Sequence, residues 1–373
     1  MGNRWKNNSL SKGELFDQFW EEYLSKEKNL LYILGWGFDP RMCHGIKKIL
    51  EIQKNGTCEC VLIEYKEGKT SPSKKHGNLK EINKKEFDTL TNNRVRVTPK
   101  KISMVSGSQH KTGSREAAKI FENISDFKNY TDVLIDISAM PVSIYFPLVG
   151  KILHIIDIAK EKSLKIPNFH IIVTENPEID SNIHDMEIDD RAKYLYSFTS
   201  SLELVEKINK VWIPILGENQ DVQLERIRTL IEPSEICPLL PSPSVNPRRG
   251  DNLLLAYGKF FDKMKIELRN IIYGSEQNPF EVYRQIINSI HQYQETLKRL
   301  GGCKVVLSAL SSKLISIAPL LVAYEYNKNK DMKVGIAHIS AKGYQIDDKV
   351  LTPEIINKNE LFSLWIEGEP YEN

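Results

Sequence analysis

Asp132–Leu148 reads DVLIDISAMPVSIYFPL, and 172 residues further on Lys304–Leu320 reads KVVLSALSSKLISIAPL. In each copy an apolar run ends in small polar residues. A second apolar stretch follows, with proline at the same place, Pro147 and Pro319. The pattern is a buried strand, a tight loop and a helix, written twice. Carboxyl ends of parallel strands, where the chain turns into a helix, are where open α/β sheets bind ligands. A helix N-terminus there favours anions, phosphates above all.

Outward from the first copy, an amphipathic helix is expected at Glu14–Leu24, then a strand at Asn29–Leu34 running into Gly35. A helix through Leu50, a strand Cys58–Tyr65, a short helix around Lys84–Leu90, a strand near Arg94–Thr98 and a helix Ser114–Asn123 precede the repeated segment. Asn168–Thr174 is a further strand. The pattern restarts at Lys210–Leu216, which ends in Gly217 as the first strand ends in Gly35. Helix Val222–Ile231, strand Glu235–Leu240, helix Asn252–Met264, strand Ile266–Tyr273, helix Pro279–Leu300, the second copy and strand Lys333–Ile339 complete it. Alternating strands and helices in both halves predict an α/β chain: two tandem Rossmann-like domains with mainly parallel sheets, related by internal duplication. The expected bounds are an N-terminal helix in 1–28, a first domain over 29–180, a linker and junction helix over 181–209, and a second domain over 210–373.

With 373 residues, 41% hydrophobic and 27% charged, the chain is long enough for two cores and unlike disordered or fibrous sequences. A net charge of +2 gives no strong global attraction to nucleic acid or membrane. The basic residues are unevenly spread: Lys66–Arg115 holds thirteen Lys or Arg against four Asp or Glu and reads as a basic insertion. Five scattered cysteines fit a reduced, cytoplasmic protein, and Cys58 and Cys60 have no second pair at zinc-site spacing. No signal peptide or membrane span is expected, and no metal site. His154 and His170 sit in apolar runs and read as core histidines.

The candidate ligand residues gather at predicted strand ends. Ser308, Ser311, Ser312 and Lys313 offer hydroxyls, helix-start amides and an ammonium, which suit a phosphate or ribose; a plain serine helix cap with a solvated lysine is the other reading. In the first copy, Asp136 aligns with Ser308, followed by Ser138 and Met140, the last placed to touch a base or fill the core. Gly35, Gly37, Asp39 and Arg41 form a glycine-containing loop between strand and helix, as a phosphate loop must be, although without the GxGxxG spacing. Ser108 and Lys111 lie in a donor-rich loop able to fold over an anion. Arg248 and Arg249 read as a phosphate clamp or a subunit contact. Tyr273 and Glu276 come at the end of another strand, the tyrosine able to stack on a base and Asn278 to read it; Asn278-Pro279 as a plain helix start is the other reading. No nucleophile elbow, HExxH, Walker loop or acidic metal cluster is present, so catalysis is not advertised.

Two resemblances follow from these residues. Gly37-Phe38-Asp39 resembles, in register, the SGGxDS loop of the PP-loop ATP pyrophosphatases, which would imply nucleotide activation; a nucleotide-processing enzyme of this or another kind would use Asp39, Asp136 or Glu276 as acid or base. The tandem units, with Ser311-Ser312-Lys313 and its weaker partner Ala139-Met140-Pro141 at the strand ends, resemble the CARF and SAVED sensor domains. That resemblance implies binding of a cyclic nucleotide signal in a bacterial antiviral system, with a separate protein partner supplying the effector activity. The leading expectation is thus a non-catalytic or weakly catalytic binder of a nucleotide-like, phosphate-bearing ligand, with no cofactor identified. The alternatives are a nucleotide-processing enzyme, and a structural subunit contacting nucleic acid through the basic insertion.

Overall fold

The protein is described by a computed structural model covering residues 4–6, 8–68, 71–106, 111–199, 208–328 and 334–371. The chain forms two compact units: Asn7–Glu187 with Lys342–Asn373, and Met1–Lys6 with Ile188–Ala341.

In the first unit, β1 (Ser9–Lys12) and α1 (Glu14–Tyr23) precede β2 (Lys28–Trp36), α2 (His44–Ile52) and β3 (Gly56–Lys66). Then come α3 (Gly77–Thr91), β4 (Arg96–Ser103), α4 (Gly113–Ala117), β5 (Asp132–Asp136), α5 (Val142–Glu161), β6 (Asn168–Glu175), α6 (Pro177–Asp180) and β7 (Ile183–Ile188). In the second unit, β8 (Lys193–Tyr194), β9 (Asn209–Leu216), α7 (Asp221–Ile231), β10 (Glu235–Ile236), β11 (Leu239–Pro241), α8 (Arg249–Ala256) and α9 (Gly258–Met264) are followed by β12 (Ile272–Gly274), α10 (Pro279–Leu297), β13 (Cys303–Leu310), α11 (Lys313–Lys328) and β14 (Val334–His338). β15 (Ala341–Ile346), α12 (Pro353–Ile356) and β16 (Glu360–Glu367) end the chain, β15 pairing with β7.

The first sheet runs β1-β16-β6-β5-β2-β3-β4 and the second β12-β11-β9-β13-β14-β8. Counted along each unit, the parallel strands stand in the same order, 3-2-1-4-5, in both: the Rossmann-like arrangement. The two copies of the repeated segment occupy the same place. β5 and β13 are each the fourth strand, paired with the first strand of their sheet. Parallel strands covered by helices on both faces are apolar in their centre, and β5 is buried at every position, with Val133–Ile135 flanked by the hydrogen-bonded carboxylates Asp132 and Asp136. The helix after it, α5, is long and apolar enough by composition to cross a membrane, and most of that stretch is buried inside the unit.

Several expected boundaries move. The second domain does not run to residue 373: residues 342–373 return to the first unit, where β16 lies antiparallel between β6 and β1. β16 buries seven of its eight residues, so it supplies core to the first sheet, not the second. Tyr194, expected in a junction helix, is in β8 beside β14, and residues 200–207 of that expected helix lie outside the described residues. The helix expected at Ser114–Asn123 stops at Ala117, because Asn123 instead starts a separate 3-10 turn, its side chain accepting from Ser125 N at 3.0 Å. The expected strand Ile266–Tyr273 shrinks to Ile272–Gly274, since Lys265 takes a left-handed φ of 53° and Leu268–Asn270 forms a 3-10 turn.

Candidate functional site

In a 3-2-1-4-5 sheet the chain leaves strands 1 and 4 in opposite directions, opening a crevice at their carboxyl ends. Each unit therefore has one such switch point, between β2 and β5 in the first and between β9 and β13 in the second.

The first switch point is filled by its own side chains. A Cβ built on Gly35 would lie 1.9 Å from Tyr65 Oη and 3.1 Å from Met140 Cγ, so phenol and thioether pack directly on the glycine. Met140 is buried. Gly37 abuts Ala139, with a built Cβ 3.5 Å from its carbonyl oxygen. Arg41 is 1% exposed, and its cation is committed. Its Nε and Nη2 donate to the two carboxylate oxygens of Asp39 at 2.9 and 2.8 Å, and Nη1 donates to Asp180 at 2.7 Å. These carboxylates outweigh the cost of burial and hold the guanidinium charged. Asn83 Nδ2 donates to the carbonyls of Gly37 and Asp39, both at 2.9 Å, and braces the loop. Asp136 accepts from Tyr32 Oη at 2.7 Å and from Ser138 N at 2.9 Å, and Ser138 Oγ accepts from Thr174 N at 2.8 Å. Glycine loop and first-copy loop are thus packed together at Gly35–Met140 and Gly37–Ala139, while their polar groups are bonded within each loop and to neighbouring elements.

The second switch point is built differently. A Cβ on Gly217 would lie 2.6 Å from Leu310 O and 2.9 Å from Ser311 Cα, so only glycine lets the end of β9 lie against the loop after β13. Ser308 is fully buried and accepts from Trp212 Nε1 at 3.0 Å, a core role. Ser312 caps α11, its Oγ facing Ile315 N at 3.5 Å and its carbonyl accepting from Ser316 Oγ at 2.7 Å. Ser311 Oγ is sealed from solvent and has no hydrogen-bond partner among the described residues. Lys313, half-buried, opens the sixteen-residue helix α11.

Around it, Arg249 Nε and Nη2 donate to the two carboxylate oxygens of Glu218 at 2.7 and 2.6 Å, and Nη1 pairs with Glu276. The arginine lowers the Glu218 carboxyl below its ordinary value against the opposing effect of burial. Glu276 Oε2 accepts from Val245 N at 2.8 Å. Arg249 and Glu276, both read as ligand residues, thus brace three strand ends. Tyr257 Oη donates to Gly217 O at 2.5 Å and accepts from Gln220 N at 3.0 Å; burial raises its phenol to about 12. Arg248 is exposed, as is Tyr273 at the end of β12. Asn278 caps α10, accepting from Phe280 N at 3.1 Å. Lys111 is exposed on an antiparallel bridge to Val105, and Ser108 lies outside the described residues. Glu218 and Tyr257 were not signalled by sequence, since nothing local links them to Arg249 or Gly217. No cluster of metal-ligating side chains occurs among the described residues.

No protein-family description matches the chain, and no curated protein matches it. Among solved structures, the chain is similar to a functionally unknown protein from Pseudomonas aeruginosa PAO1, at 8% identity over 86% of this chain and 95% of that one, with a TM-score of 0.21.

Proposed function

We propose that this protein binds a nucleotide-like, phosphate-bearing ligand at the switch point of the second unit and acts as a sensor or regulatory subunit. The observation that carries the reading is Ser311 Oγ, which has no hydrogen-bond partner among the described residues and lies in the loop against Gly217, two residues before the start of α11. The positive end of a helix dipole, a hydroxyl donor and the Lys313 ammonium suit a phosphate or ribose oxygen. The first unit supports no equal site, since Arg41 is held by Asp39 and Asp180, and Asp136 by Tyr32 and Ser138 N. The same pairing turns Asp39 away from an acid or base role and favours binding over nucleotide processing. The likeness to CARF and SAVED domains makes a cyclic oligonucleotide the first ligand to try, with a separate protein of an antiviral system receiving the signal.

Differential scanning of the full chain against cyclic and linear nucleotides tests this. Ligand-dependent stabilisation is expected in the wild type and lost in Ser311→Ala and Lys313→Ala. Stabilisation that both variants retain in full would overturn it.

A further inference from the structure

A second, cationic surface lies in the first unit. β4 ends the sheet, pairing with β3 and with no other strand among the described residues. Arg96, Thr98 and Lys100 alternate along one face of it, all exposed, with same-face neighbours about 6.6 Å apart. At the start of the strand, Arg94 and Arg96 join Lys54 around a groove of about 410 Å³ whose buried lining is Leu50 and Cys58. Arg94 Nη2 donates to Leu50 O at 2.7 Å, covering the carbonyl end of α2 with a cation. The Cys58 thiol, pushed up to about 12 by burial, stays neutral.

The local carboxylates do not cancel this charge. Glu59 lies 3.9 Å from Arg96, whose side chain is 80% exposed, and Glu64 lies 3.6 Å from Lys101. The carboxylates of both pairs are half-buried, and Glu59, which also lines the groove, is outnumbered there by Lys54, Arg94 and Arg96. Lys54 and Lys100 have no ion pair among the described residues. Guarding an edge strand against pairing explains Pro99 and Lys100. It does not explain why Lys54, from beyond the end of α2, meets Arg94 and Arg96 around a concavity.

We propose that this groove and the adjoining edge of β4 bind the phosphodiester backbone of single-stranded nucleic acid. A concave, cationic channel suits a strand that can enter it, whereas a flat anionic membrane would meet only its rim. No aromatic ring lines the groove, so the contacts are to phosphates and independent of sequence. This surface does not depend on the switch-point reading in the second unit.

The test is fluorescence anisotropy of labelled oligo-dT and oligo-U with the full chain across a salt series. Binding is expected at low salt, with affinity falling steeply between about 50 and 200 mM. The Arg96→Glu/Lys100→Glu variant, checked for an unchanged melting temperature, is expected to bind at least about tenfold more weakly, with a salt slope shallower by about 0.7 per lost contact. The exposed Lys298→Glu, a charge reversal in the second unit, should bind as wild type. Absence of binding at low salt, unchanged binding by the double variant, or binding to phosphatidylserine vesicles but not to oligonucleotide would each overturn the proposal.

Discussion

A Cβ on Gly217 would lie 2.6 Å from the carbonyl oxygen of Leu310, so the first and fourth strands of the second sheet meet at a distance that excludes any side chain. Gly217→Ala must push backbone from backbone, because no flexible side chain stands there to yield. A loss of about 1–3 kcal/mol is expected by urea unfolding, together with loss of nucleotide-dependent stabilisation. Gly258→Ala is the matched control: its Cβ meets nothing within 4 Å at the start of α9, and a gain of up to about 1 kcal/mol is expected.

Arg249 braces, and its removal should read as instability. The Glu276 side chain is only 9% exposed, and without the guanidinium its charge would be buried with backbone donors alone. Arg249→Ala is expected to cost about 3 kcal/mol. Arg249→Lys, keeping the charge but not the two-pronged contact with Glu218, should cost less. Equal stability of wild type and Arg249→Ala in chemical denaturation would remove the bracing role.

The scaffold was readable because both copies of the repeated segment carry continuous apolar runs, and such runs occur where strands are covered on both faces. The destination of β16 was not readable: an isolated strand sequence carries no mark of which sheet it joins, and its partner β6 is far away along the chain. Charge misled in the same way. Arg41 and Arg249 stand in loops at strand ends, where a free cation would meet an anion, yet Arg41 is held by its neighbour Asp39 and by Asp180, and Arg249 by Glu218 and Glu276, and of these only Asp39 is near in sequence. The serines divide by surroundings: Ser308 and Ser311 look alike in the string, but one hydroxyl bonds Trp212 in the core and the other has no partner among the described residues.

Gly35 and Tyr65 make a pair that a double-mutant cycle can resolve. The Tyr65 hydroxyl is buried against the glycine with no hydrogen-bond partner among the described residues, and burial raises its pKa. Tyr65→Phe should therefore stabilise the protein, by about 1 kcal/mol, because an unsatisfied polar group is removed. Gly35→Ala should destabilise it strongly, and Tyr65→Phe should recover only part of that loss, since the ring carbon Cζ would still lie 2.9 Å from the new methyl. Additive effects would show that the two residues do not touch.

His170 gives the fold a pH dependence of defined sign. The ring is fully buried beside Trp20, Tyr23 and Trp365, with Nε2 3.4 Å from Asp132 Oδ1 and Nδ1 unpartnered. Burial, the largest influence, lowers its pKa below 6.5 although Asp132 pulls the other way. The unfolded chain then binds the proton more readily than the native one, so stability is complete above about 6.5 and falls as pH drops through that value. His44, also lowered by burial, acts in the same direction. Asp132 is lowered by its hydrogen bonds from His170, Thr131 and Tyr23, against burial, and adds a second loss below its ordinary value of 3.8. Unfolding free energy measured from pH 7.5 to 5 should fall toward acid with a slope of up to about 1.4 kcal/mol per pH unit for each histidine. In His170→Gln that slope should shrink to the His44 share. An identical slope in the variant would show that His170 does not titrate with folding.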